Sequence, residues 1–410
     1  MDLRQILDIG RLVNLSYCSR IWQPALIAAG TLALFIAGCR AHDFPQYAPK
    51  YREYVYVTNG GSDTVTILDV VNVRVDRELP VGHNPVAVAA NPAHNEIYVV
   101  NSGNAPANGS LSVIDAEHNA VVATIPLHRQ PLSIDLNSAG TVAYVANSGS
   151  NTVSVIDLTS RRETAQLAAG DNPVFVRVSS DGKTLAVANQ HGNSVTIIDA
   201  LTGKVRASFA GCPGASQVAI LPDSTKAFVP CSAGHQVMVI ALAEPAAQPN
   251  AGAGAHPAAP DRLETLMDVG LVPVDLAMKP DGGEIFVSNS LSNSVSEIYD
   301  STDEVGDTYM IGNTPVRGLV SRDNSLLYVA NARAQEVTVY SIDEGKRIGS
   351  IHVGDGPGPL AFSAAGHLLF VADNHSGDIA VVRTSTQSLF TLLPAGRNPN
   401  AIVDKAFNVQ

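Results

Sequence analysis

Short apolar runs of four to six residues recur along this chain at a nearly fixed interval, each closed by a polar residue. YVYVTN, IYVVN, AYVAN and LAVAN end at Asn59, Asn101, Asn147 and Asn189. AFVPC, IFVSN, LYVAN and LFVAD follow, ending at Cys231, Asn289, Asn331 and Asp373. The spacings between these ends are 42, 46, 42, 42, 58, 42 and 42 residues. After a polar turn comes a second run such as TVTILD, LSVID, TVSVID or SVTIID, ending at Asp69, Asp115, Asp157 or Asp199. A third segment leads into a Gly-x-x-Pro turn, as at Pro85, Pro173 and Pro315. A short apolar run such as VAVAANP completes the period, and an Asp-Gly turn often closes it, as at Asp181-Gly182 and Asp281-Gly282. Period-two alternation bounded by Gly, Asn, Asp and Pro predicts strands and tight turns.

Four short strands per 42-residue period fit one blade of a β-propeller. The predicted fold is all-β: a single β-propeller of eight four-stranded blades, spanning residues 54–410. We label the strands a (VAVA-like, inner), b (YVTN-like), c (TVTILD-like) and d (outer). The chain enters on a b strand, and NAIVDKA (residues 400–406) is an unpaired a strand at the far end. The simplest closure puts this C-terminal strand into the first blade, which removes the exposed sheet edges. The repeats resemble the YVTN family of β-propeller repeats, whose motif stands intact at Tyr56-Val57-Thr58-Asn59. That resemblance makes a seven-bladed ring the alternative count.

Two insertions break the period. One is NSGNAPANGS; the other is AEPAAQPNAGAGAHPAAPD, rich in Ala, Pro and Gly, which predicts a flexible surface loop over residues 243–262. Its Gly-x-Gly neither follows a strand into a helix nor completes a dinucleotide fingerprint.

The first 38 residues differ from all that follows. Arg4, Arg11 and Arg20 precede an apolar run that stops at Ile36-Ala37-Gly38-Cys39. The run is too short for an ordinary spanning helix and reads as a signal-peptide core. Its end resembles the lipobox of bacterial lipoproteins, which implies cleavage before Cys39, lipidation of its thiol and a membrane held by acyl chains. Residues 39–53 then form the lipidated cysteine and a tether. Arg40 after the cysteine resembles outer-membrane sorting, so the expected location is the periplasmic side of the envelope, at the outer membrane.

The 410 residues carry 26 Lys and Arg against 38 Asp and Glu, a formal net charge of −12. Removing residues 1–38 takes away Arg4, Arg11, Arg20, Asp2 and Asp8, so the acidity survives processing. Nucleic acid is excluded as a partner, because phosphate binding needs clustered Lys and Arg.

Antiparallel order sorts the turns onto two faces. The d-to-a and b-to-c turns share the top face, where propellers commonly bind ligands, and the other turns share the bottom. The top-face candidates are His83, His128, Arg129, Asp171, His191, His235, His375 and Arg397. His83, His191, His235 and His375 form the candidate metal or haem set, since imidazole is a common transition-metal ligand. No HExxH, His-x-His or CxxCH accompanies them. The repeated asparagines and the c-strand aspartates recur too regularly for one active site, and read as turn chemistry. Cys212 and Cys231 approach the top face within one blade, which in an oxidising compartment predicts a structural disulfide.

No catalytic residue is nominated, since neither a GxSxG elbow nor an isolated carboxylate pair is present. The expected function is a non-enzymatic, monomeric envelope scaffold that binds a protein, polysaccharide or small ligand and carries no cofactor. The first alternative is a periplasmic redox or cofactor-handling protein, by resemblance to eight-bladed d1-haem propellers, with haem or copper bound. The second is a propeller lactonase or hydrolase.

Overall fold

The computed structural model describes residues 45–243 and 259–409. The expected signal segment 1–38, Cys39 and most of the 243–262 loop lie outside the described residues. The rest forms a ring of eight antiparallel four-stranded sheets, with no helix among the described residues. Eight blades is therefore the count.

Blade 1 joins the two ends of the chain. Its order from outside in is Arg74–Pro80, Thr64–Asp69, Tyr51–Asn59 and Pro399–Asn408. The b strand starts three residues earlier than the pattern suggests, at Tyr51, and pairs with the last strand from Tyr51↔Asn408 up to Asn59↔Pro399. Blades 2 to 8 follow in chain order, each running a, b, c, d outward.

The burial of each strand explains its composition. The b and c strands lie between neighbouring blades and are covered on both faces, so Thr184–Asn189 is buried throughout. Outer strands meet solvent on one side and alternate, as Arg162–Ala168 does. Tyr98, Val100, Leu111 and Val113 of blade 2 pack on Ala143, Val145 and Ile156 of blade 3. Equivalent clusters recur around the ring, so the core is divided among the blade interfaces rather than gathered at one centre.

One irregularity repeats with the fold. A bulge falls between the fourth and fifth residues of the c strand, at Ile67/Leu68, Val155/Ile156, Ile197/Ile198, Val239/Ile240 and Val381/Val382. An extra residue in the outer strand at this point increases the local twist, which lets each blade fan outward. Blade 5 departs most: its inner strand shrinks to Ala219–Ile220, preceded by a lone bridge between Ala215 and Cys231.

Candidate functional site

The top face is built from one device used again and again. In six of the eight blades an asparagine ends the b strand and is buried, and its amide donates to hydroxyls on the c strand beside it. Asn101 Nδ2 reaches Ser110 Oγ at 3.1 Å and Ser112 Oγ at 2.9 Å. Asn59 binds Thr64 and Thr66, Asn189 binds Ser194 and Thr196, and Asn289 binds Ser294 and Ser296 in the same way. The glycine of the Gly-x-x-Pro turn lies flat on this asparagine: a Cβ on Gly82 would stand 2.7 Å from Asn101 Cγ. Gly170, Gly270, Gly312 and Gly396 meet Asn189, Asn289, Asn331 and Asn59 likewise. Glycine is required here by contact rather than by backbone angle.

A second contact links neighbouring turns. Asp63, Asn151, Asn193 and Asn293 have left-handed φ angles of 59°, 59°, 48° and 57°. Their side-chain oxygens accept the amides of Asn84, Asn172, Gly214 and Thr314 across the face. In blade 5 this position is His235, with φ 58°, and its Nδ1 accepts the Val272 amide at 3.2 Å. Accepting through Nδ1 fixes the Nε2–H tautomer and gives His235 a scaffolding task.

The remaining candidates are distributed around the rim. His83 Nδ1 meets Asp63 Oδ2 at 2.8 Å, and His375 Nδ1 lies 3.7 Å from Asp355 Oδ2, both exposed. His191 is exposed in the b-to-c turn of blade 4. The Arg129 and Arg397 amides donate to Ser150 and Ser62, and the Asp171 carbonyl accepts from Gly192. His128 belongs elsewhere: it lies inside the outer strand Ala120–Arg129, where Nε2 is 3.0 Å from Glu163 on the next blade. The inserted residues lengthen the preceding strand to Asn108, whose pairing with Arg129 draws His128 into the sheet. No group of three His, Cys, Asp or Glu side chains among the described residues is arranged to hold a metal ion.

Two blades replace the asparagine. In blade 5, Cys231 stands in its place and is bonded to Cys212. Ala215 pairs with Cys231 as Pro85 pairs with Asn101, so Cys212 occupies the Gly82 position three residues earlier. In blade 8, Asp373 replaces the asparagine and Asp378 replaces the first hydroxyl residue. Asp373 is fully buried, and burial first, then Asp378, pushes its carboxyl up to about 8.

Three further arrangements have no local sequence signature. At the seam of the ring, Asp404 from the last strand lies against the buried Glu53 from the first. Burial and then Glu53 push Asp404 up to about 9. Glu53 accepts from the Tyr51 hydroxyl and from the Ala364 amide at 2.7 Å, while Tyr47 bonds His367 at 2.9 Å. Along the central channel, Arg177 pairs with Asp135 and Arg317 pairs with Asp275, each across one blade interface. The free Oδ2 of each aspartate caps the amide after the arginine, Val178 at 2.9 Å and Gly318 at 2.8 Å. These caps cover part of the inner strands' open edges.

Comparison with known proteins agrees on architecture. Residues 111–242 match the family model described as YNCE-like beta-propeller. No curated protein matches the chain in sequence. The hydrazine synthase of Kuenenia stuttgartiensis is similar over 70% of this chain and 91% of its own, with 22% identity and a TM-score of 0.54. Dihydro-heme d1 dehydrogenase NirN, solved in complex with DHE, is similar over 75% of this chain and 64% of its own, with 17% identity and a TM-score of 0.59. A candidate 6-phosphogluconolactonase from Bacteroides uniformis is similar over 87% of this chain and 100% of its own, with 14% identity and a TM-score of 0.59. At these identities the likeness is one of fold. The chain is a β-propeller repeat protein.

Proposed function

We propose that this β-propeller is a lipid-anchored binding scaffold of the bacterial envelope, held at Cys39 and offering its top face to a protein partner. One observation supports this reading most. Leu271 and Leu291 lie side by side in the top turns of blade 6 and are 48% and 66% exposed, and Met310, at the top of its outer strand, is 73% exposed. The Leu291 amide donates to the Leu271 carbonyl at 3.1 Å, which holds the two turns side by side. Clustered exposed apolar side chains, set among polar turns, are the usual mark of a protein contact.

Residues 45–50 run along the bottom face, where Tyr47 bonds His367 in the a-to-b turn of blade 8. A haem- or metal-handling reading requires His83, His191, His235 and His375 to converge, and they occupy turns of different blades.

The test is comparative capture with the full-length protein from envelopes of the producing cells. Leu271→Asp with Leu291→Asp should release the captured partner, whereas Leu201→Asp, a 77% exposed residue of the bottom turns, should not. Growth with an alkyne-tagged fatty acid should label the wild type and leave Cys39→Ser unlabelled. Capture that ignores both leucines, or label retained by the serine variant, would refute the corresponding half of the proposal.

A further inference from the structure

The two Asp–Arg pairs of the channel have the same construction but not the same closeness. Arg317 Nη1 stands 2.6 Å from Asp275 Oδ1, and Asp275 also receives Gln217 Nε2 at 3.1 Å. Arg177 Nη1 stands 3.5 Å from Asp135 Oδ1, and its Nε is 3.5 Å from the Val218 carbonyl. Both Arg177 contacts are at the outer limit for hydrogen bonds, where little energy remains. Its guanidinium lies 5.4 Å from the centre of the Phe175 ring, which steadies the group without using its N–H donors.

Beside this guanidinium, the bottom mouth of the channel widens into a cavity of about 480 Å³. That volume falls in the range of small-ligand sites, roughly 300–1,000 Å³. One wall is apolar: Leu136, Ile220, Leu276 and Met278, from the inner ends of blades 3, 5 and 6. The other wall holds Arg177 and Asp135, the only charged side chains among the described residues that line the cavity. Burial raises the Asp135 carboxyl above its ordinary range, with Arg177 opposing that rise. At 3.5 Å from Asp135, against 2.6 Å between Arg317 and Asp275, the Arg177 guanidinium is less closely engaged by its own carboxylate.

We propose that the bottom mouth of the channel is a binding site for a small amphipathic monocarboxylate, whose carboxylate sits on Arg177 and whose apolar end lies on the Leu276–Met278 wall. A planar guanidinium with unused donors matches a carboxylate, which can take two parallel N–H bonds from it. An uncharged ligand of the same length makes no ion pair on that wall, and a cationic one meets Arg177, whose charge opposes the attraction of Asp135. The site is on the opposite face from the Leu271–Leu291 patch, so it is independent of the partner-binding reading.

Calorimetric titration of the full-length protein with hexanoate, 1-hexanol and hexylammonium tests this. Hexanoate should bind at least about tenfold more tightly than either analogue, as one charge-assisted hydrogen-bonded contact predicts. Arg177→Met should weaken hexanoate by at least about tenfold, and Arg317→Met by less than about threefold, on the same ground. Met278→Trp, which fills the apolar side and leaves both ion pairs intact, should abolish binding; it decides the matter if Arg177→Met does not fold. Equal binding of the three probes, equal loss in the two arginine variants, or undiminished binding in Met278→Trp would each overturn the proposal.

Discussion

Cys212 and Cys231 are bonded at the two positions where blade 2 sets Gly82 against Asn101. The substitution extends to the neighbours. Where blades 1, 3 and 4 place a hydroxyl seven residues after the asparagine, at Thr66, Ser154 and Thr196, blade 5 has the buried Met238. A disulfide asks for no hydrogen-bond acceptor, so an apolar neighbour suits it. Reduction should cost about 3 kcal/mol, given the sequence separation of 19. Replacing the pair by the repeat's own residues, Cys212→Gly with Cys231→Asn, should not restore stability, because the asparagine would face Met238. Adding Met238→Thr should recover part of the loss, read as the midpoint of denaturant unfolding.

The Gly82–Asn101 contact predicts a non-additive cycle. Asn101→Ala leaves Ser110 and Ser112 without their donor and should cost about 1–3 kcal/mol. Gly82→Ala forces a methyl against Asn101 and should cost a similar amount, about 1–3 kcal/mol by overpacking. With Asn101 removed the methyl has room, so the double variant should be more stable than the sum of the two losses. Additive losses would show that the glycine answers to something other than the asparagine.

Asp404 and Glu53 couple ring closure to pH. Asp404 keeps its proton in the folded ring to about 9, well above its unfolded value. A carboxyl raised by folding stabilises most at low pH, and that contribution fades as pH rises from about 4 towards 9. Tyr47, Tyr51, His367, Arg322 and Lys405 surround the pair, and the two cations only partly offset the cost of a second negative charge. Asp404→Asn should flatten the decline in melting temperature between pH 6 and 9. An unchanged slope would place the titrating group elsewhere.

Asp373 makes a parallel prediction at the top of blade 8. Its carboxyl is raised to about 8, so its stabilising contribution also disappears as pH climbs through that value. Asp373→Asn returns the position to the repeat pattern and lets the amide donate to Asp378. The variant should melt at higher temperature than the wild type at pH 9, with a smaller difference at pH 5. Melting curves at the two pH values check this directly.

The eight blades and the closing strand were readable because every period repeats the same apolar runs, and NAIVDKA lacks a partner until the ring shuts. The nearness of Cys212 and Cys231 follows from strand order, since both approach the top of one blade. His128 shows where such reading stops. It occupies the Gly82 position of blade 3, but the inserted residues after Asn101 change the pairing, and only the register reveals that it faces Glu163. Glu53 and Asp404 lie at opposite ends of the chain, so no spacing rule joins them. The Asp135–Arg177 and Asp275–Arg317 pairs do carry a signal, a separation of one 42-residue repeat, but it becomes visible only when inner strands are aligned.

The proposed scaffold is tested most directly by quantitative comparison of envelope proteins retained by the full-length wild type, the Leu271→Asp/Leu291→Asp variant and the Leu201→Asp control. The account predicts a specific set held by the wild type and the control and lost from the double variant, with all three melting alike. Retention of the same proteins by the double variant, at equal yield, would contradict the assignment of the top of blade 6 as the binding surface.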